Sequence, residues 1–141
     1  GLLAERAASG QLDIALASAA LDFALLAAGR PVEALRRATR AIRILERLGR
    51  VIEGESLIRL VHIEALLATG DLGATGVALS TAFGRVHERA NRIADPAWRA
   101  GFLESVPENA RILELARQRG LHAGARIYRR AVSLLGVGVG S

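Results

Sequence analysis

Three histidines, His62, His87 and His122, are the side chains of this sequence best suited to metal binding or proton transfer. They stand 25 and 35 residues apart. A zinc-type site on a helix needs two ligands on one face, three or four residues apart, and His87-Glu88 lacks the second histidine. With no cysteine, thiolate metal sites, disulfides and cysteine nucleophiles are excluded together. Ser80, Ser105 and Ser133 have no neighbouring base and no nucleophile elbow around them. Glu53 and Glu55 fall on opposite sides of a helix, and Glu104 and Glu108 flank a proline as helix-end charges. A phosphate-binding loop that ends in Gly-Lys is impossible, because the chain contains no lysine. GVGVG near the end has no helix after it to receive a phosphate. These absences point away from an enzyme and away from a cofactor.

Arginine is the most abundant charged residue, 19 against 14 carboxylates. Arg36, Arg40, Arg43 and Arg47 are spaced four, three and four, so a helix places them in one stripe. Such a stripe suits anions, and a nucleic-acid-binding regulator is one reading of it. The simpler reading is a solvated outer face, partly balanced by Glu33 and Glu46. No segment offers the short, Asn/Gln/Ser-bearing second helix of a helix-turn-helix reader.

The elements that carry these residues are helices. The chain has 141 residues, is 51% hydrophobic and only 4% aromatic, so its core must be built from Leu, Ala, Ile and Val. Small alanines let helices approach closely. Net charge is +5, and every cation is an arginine; with the Ala and Gly load, this fits a high-GC bacterial gene. No uncharged apolar run approaches the roughly 18 residues that span a bilayer. No signal peptide is visible, and a cytoplasmic protein without membrane contact is expected. There is no Met and the chain opens on Gly1, so a piece of a longer protein is expected.

Periodicity predicts seven helical segments. Residues 1–10 read as the tail of a preceding helix. Helices follow over 11–28, 32–48, 53–69 and 72–94, separated by Gly29-Arg30-Pro31, Gly49 and Gly70-Asp71. Predicted inward stripes are Leu35, Ala38, Ala41, Ile42 and Leu45 in the second, and Leu57, Leu60, Val61, Ala65 and Leu66 in the third. In the fourth they are Val77, Ala78, Thr81, Ala82, Val86 and Ala90. Asp95-Pro96 caps and starts a short helix to Glu104, in which Trp98 and Phe102 share a face and plug the end of a small core. Pro107 opens another to Arg119, and a last one covers 123–135, with Tyr128 packed in it. Residues 136–141 read as a disordered tail.

Two stretches repeat. Phe23-Ala-Leu-Leu-Ala-Ala-Gly29 precedes Val32-Glu-Ala-Leu35, and Glu64-Ala-Leu-Leu-Ala-Thr-Gly70 precedes Ala74-Thr-Gly-Val77; the two turn glycines are 41 residues apart. ALLAAGRPVEAL resembles the turn of a tetratricopeptide repeat, and EALLATGDLGA resembles the same turn in its Gly-Asp form. The usual period is about 34 residues, so the resemblance is to extended units with longer second helices. Asp22 and Ile63 occupy positions where that family carries Gly or Ala. DPAWRAGFLESVPEN is similar to the C-terminal end of large bacterial signalling proteins, in which a kinase, cyclase or ATPase module precedes a long repeat array.

The resemblance implies an all-α, right-handed stack of antiparallel helix hairpins. Two extended hairpins would span 11–94 and a C-terminal helical cap 95–135, closing the last apolar face. It also implies a binding groove lined by the first helix of each pair. Ala19, Phe23, Leu26, Leu57, Leu60, Glu64 and Leu67 are its exposed positions by alignment. Such a groove would hold a protein or peptide partner, or another domain of the parent chain. A homo-oligomerisation domain is the alternative, and an apolar groove of this kind predicts self-association.

Overall fold

The computed structural model describes residues 1–49 and 54–121, with the backbone alone at 5, 8, 9, 11, 12 and 15. Every described element is an α-helix: α1 (Leu2–Ala27), α2 (Pro31–Leu48), α3 (Glu55–Thr69), α4 (Leu72–Asn91), α5 (Pro96–Glu104) and α6 (Pro107–Gln118). The predicted helix over 123–135, Tyr128 and the predicted tail lie outside the described residues. The chain divides into two compact units, 1–82 and 83–141, with the boundary inside α4.

Local chemistry sets the breaks. Gly29, Gly49 and Gly70 take φ of 75°, 61° and 80°, the left-handed conformation that ends a helix and that glycine adopts without penalty. Pro31 and Pro107 sit in the first turn of α2 and α6, where a missing N–H costs nothing. Asp95 accepts the backbone N–H of Trp98 at 3.0 Å, capping α5 as its position before Pro96 predicts. Gly10 does not interrupt α1, which is one continuous helix from Leu2 rather than a tail followed by a new start at Gln11. A lone interior glycine costs only about 1 kcal/mol, too little to stop a helix that is alanine-rich on both sides. α4 ends three residues earlier than expected, in a turn at Arg92 and Ile93.

In the first unit α1, α2 and α3 each pack against the other two. Their side chains meet in three layers. Leu25, Ala34 and Ala65 form one, Ala19, Ala38 and Val61 the next, and Ala41, Ile42, Leu45 and Ile58, with Leu16 packed on them, the third. Residue numbers fall through the layers in α1 and α3 and rise in α2. So α2 runs antiparallel to both, and α3 repeats the direction of α1. Ala19, Ala34, Ala38 and Ala65 are fully buried, and their size permits this close approach. Leu35, predicted inward, is half-buried, and Ala34 takes its place in the core.

The buried face of α4 is rotated from the predicted one. Thr75, Leu79, Ala82, Phe83, Val86 and Ala90 are buried, whereas Val77 and Thr81 are exposed. The buried set recurs at helical spacing and contains Leu79 and Phe83, each larger than any residue of the predicted stripe, which outweigh a stripe of small residues. In the second unit, Asn109 is buried and donates from Nδ2 to the Phe102 carbonyl at 2.9 Å, tying α6 to the end of α5. Arg99 closes the preceding turn by donating from Nε and Nη2 to the Ile93 carbonyl at 3.0 and 2.8 Å.

Gly54, just before α3, has φ of 84°, and a Cβ placed there would run into the Leu16 side chain. Gly54→Ala therefore loses about 1–2 kcal/mol to the left-handed backbone alone, and Leu16 must also leave its place against Ile58. Gly29→Ala meets no atom within 4 Å and carries the backbone cost only. Urea unfolding of the two variants side by side measures the difference. Equal losses would show that Leu16 yields freely.

Candidate partner-binding faces

Three surfaces of the first unit carry the candidate chemistry. The first is the α1–α3 side. Phe23 and Leu26 from α1 and Leu57 from α3 are half-buried and pack against Ala19, Ala38 and Val61. Glu64 and Leu67, also half-buried, lie about two and three turns further along α3, and Ala68 beyond them is exposed. Leu60 is 6% exposed and Ala19 fully buried, so neither is part of an accessible surface. The expectation for these two is corrected. α3 lies against both α1 and α2, and this contact covers more of its circumference than one apolar stripe implies.

The second is a cavity of about 350 Å³ lined by Ile42 and Glu46 of α2, Arg59, His62 and Leu66 of α3, and Ala74, Val77, Ala78 and Thr81 of α4. His62 is half-buried there, and burial pushes its pKa below the ordinary histidine value; Glu46 opposes that shift and Arg59 adds to it. Arg59 is engaged with the buried Glu55, Nη2 and Nε lying 3.1 and 3.2 Å from Oε1. His62, whose spacing in the sequence fits no ligand pair, faces this cavity. The signal was available in the polar triplet Glu46, Arg59 and His62, although only the fold brings α2 to α3.

The third is the outer side of α1 and α2. Arg36, Arg40, Arg43 and Arg47 are all exposed, the stripe that their spacing predicts. None of the four forms a salt bridge with a described residue. Next to them, Arg37 donates from Nε to Oδ1 of Asp22 at 2.7 Å. Asp22 is 1% exposed, and its Oδ2 has no hydrogen-bond partner. Desolvation raises the Asp22 pKa above its usual value, against the hydrogen bond and the charge of Arg37. The residue noted as a departure from the repeat pattern is therefore a buried acid that anchors one arginine.

No family model, curated protein or solved structure matches the chain. The geometry alone has to carry the functional reading. Among the described residues no three His, Asp or Glu side chains gather into a metal-sized cluster. His87 stacks, tilted, on Phe83 with ring centroids 4.6 Å apart, and burial lowers its pKa. His122, Glu53 and Ser133 lie outside the described residues. Glu55 is a core ion-pair partner rather than half of a carboxylate pair. Trp98 and Phe102 do not plug a core together. Trp98 is 77% exposed, while Phe102 is half-buried under the Arg89 guanidinium, 5.3 Å from its ring centroid. The nine-residue α5 has no fully buried residue, so the face that the two aromatics share is only partly covered by the described residues. Among the described residues no helix is long and apolar enough to cross a membrane.

Proposed function

We propose that the chain is a helical-repeat interaction module, which holds a protein or peptide partner or another part of its own polypeptide and performs no catalysis itself. The register of α1, α2 and α3 supports this reading. Two helices of like direction, α1 and α3, lie side by side with the antiparallel α2 against both, as successive hairpins of a repeat array would. On the α1–α3 side, the half-buried Phe23, Leu26, Leu57 and Leu67 leave apolar edges beside the carboxylate of Glu64. Apolar edges with one charged group are what a bound helix or extended peptide needs: area for affinity and a polar contact for register.

The test uses peptides selected by display on the purified chain. Their affinity is then measured against Glu64→Arg and Ala68→Arg, two changes that leave the buried layers intact. A groove binder is weakened about tenfold or more by each, equivalent to about 1.4 kcal/mol, with the thermal melt of Ala68→Arg unchanged. Selected peptides that bind both variants as tightly as the parent would remove the α1–α3 side as the holding surface.

A further inference from the structure

We propose that the cleft between α1 and α2 is a second docking site, built for an acidic amphipathic helix of a partner protein. The cleft has a volume of about 310 Å³ and is lined by Ile14 and Ser18 from α1 and by Arg37, Arg40, Ala41 and Ile44 from α2. Its apolar part is open to water, with Ile14 67% exposed. Its cationic part is anchored. Asp22 is held under the surface at a desolvation cost, and its one hydrogen bond is to the Nε of Arg37. That bond takes a single donor of the guanidinium fork, while the Arg37 side chain remains about a third exposed at the cleft. A solvated arginine needs no such support. A guanidinium fixed in advance loses less freedom when it meets a carboxylate.

Arg40 joins this cleft to the stripe of Arg36, Arg43 and Arg47, which runs roughly 16 Å along α2 at the helical rise. The five arginines of α2 face only two acids on the same helix, Glu33 and Glu46. Glu33 is drawn to Arg30 in an ion pair. The occupant must therefore be acidic along one side and apolar along the next. A helix with carboxylates at positions i, i+4 and i+7 matches the arginine spacing, and its adjoining apolar residues reach Ile14, Ala41 and Ile44. A nucleic-acid backbone would satisfy the charges and leave the apolar floor wet. A second copy of the chain would set arginine stripe against arginine stripe, at a Coulombic cost.

The proposal is tested with the full chain and three fluorescent probes: a synthetic Leu/Glu amphipathic peptide, its scrambled isomer and a DNA duplex. The amphipathic peptide is expected to bind at least tenfold more tightly than the scramble, and more weakly as salt is raised. Arg40→Glu and Ile14→Glu should each weaken it about tenfold or more with unchanged thermal melts, because both side chains are exposed. Glu64→Arg should leave it unaffected, which separates this cleft from the α1–α3 groove. Equal binding of the scramble, indifference to either substitution, or tighter binding of the duplex that Arg40→Glu abolishes would each overturn the proposal. So would a homodimer, seen by sedimentation, that excludes the peptide and dissolves in Arg40→Glu.

Discussion

Replacing Ile58 by alanine is expected to cost about 3–4 kcal/mol and to lower the melting temperature of the first unit by roughly 15–25 °C. Ile58 is 0% exposed and meets Leu45, Ile42 and Ala41 of α2, with Leu16 of α1 and Leu48 packed on the same cluster. It is the α3 residue of a layer to which all three helices contribute, so its loss weakens two helix pairings together. Collapse cannot refill the space cheaply. Ala41 on one side is already small, and α1 and α2 are held at their distance by Ala19, Ala34 and Ala38 in the other layers. Ile58→Val removes one methylene and should cost about 1 kcal/mol. Both are measured by urea unfolding followed by circular dichroism. A loss below about 1 kcal/mol in Ile58→Ala would mean that the layers are loose enough to close over the gap.

The same layers explain what could and could not be read from the residues alone. Helix ends were legible, because Gly29, Gly49, Gly70 and Asp95-Pro96 act through their own backbone and need no distant partner. The faces were legible in α2, where one broad stripe is buried and the opposite one is arginine. In α3 they were not. With Glu55, Ser56, Ile58, Leu60, Val61, Ile63, Ala65 and Leu66 all buried, its pattern shows that the helix is enclosed but not which of its residues touch α1, α2 or water. Leu60 was misplaced for that reason, and Leu57 and Glu64, on the same helix, are only partly covered. Trp98 and Phe102 share a face by spacing, yet spacing cannot say whether anything lies over that face. The Asp22–Arg37 bond joins residues 15 apart on two helices, and only the α1–α2 register brings them together. His62 depends in the same way on α2 and α4 lying beside α3.

The Asp22–Arg37 pair carries the second large effect. Arg37→Ala is expected to cost about 2–3 kcal/mol at pH 7, below the roughly 3–5 kcal/mol of a fully buried broken pair because the arginine is partly exposed. It leaves a carboxylate with no partner for either oxygen, since Oδ2 has none already. The effect has a definite pH dependence. Burial raises the folded-state pKa of Asp22 above 3.8, so the folded chain binds its proton more tightly than the unfolded chain does. Stability from this group therefore falls as pH rises through the window above 3.8, and it is recovered on acidification. Arg37 supplies both influences that lower this pKa, the hydrogen bond and the positive charge. Without it the pKa climbs further, and the deficit of Arg37→Ala should shrink as the pH falls from 7 toward 4. Asp22→Asn keeps an acceptor for Nε and removes the buried charge, so in that background Arg37→Ala should cost less and its loss should no longer vary with pH. Unfolding of the two single variants and the double variant at both pH values completes the cycle. A deficit of the same size at pH 7 and pH 4 would show that Arg37 stabilises through its aliphatic packing rather than through the carboxylate. The cleft would then have lost the fixed guanidinium on which its selectivity for an acidic partner depends.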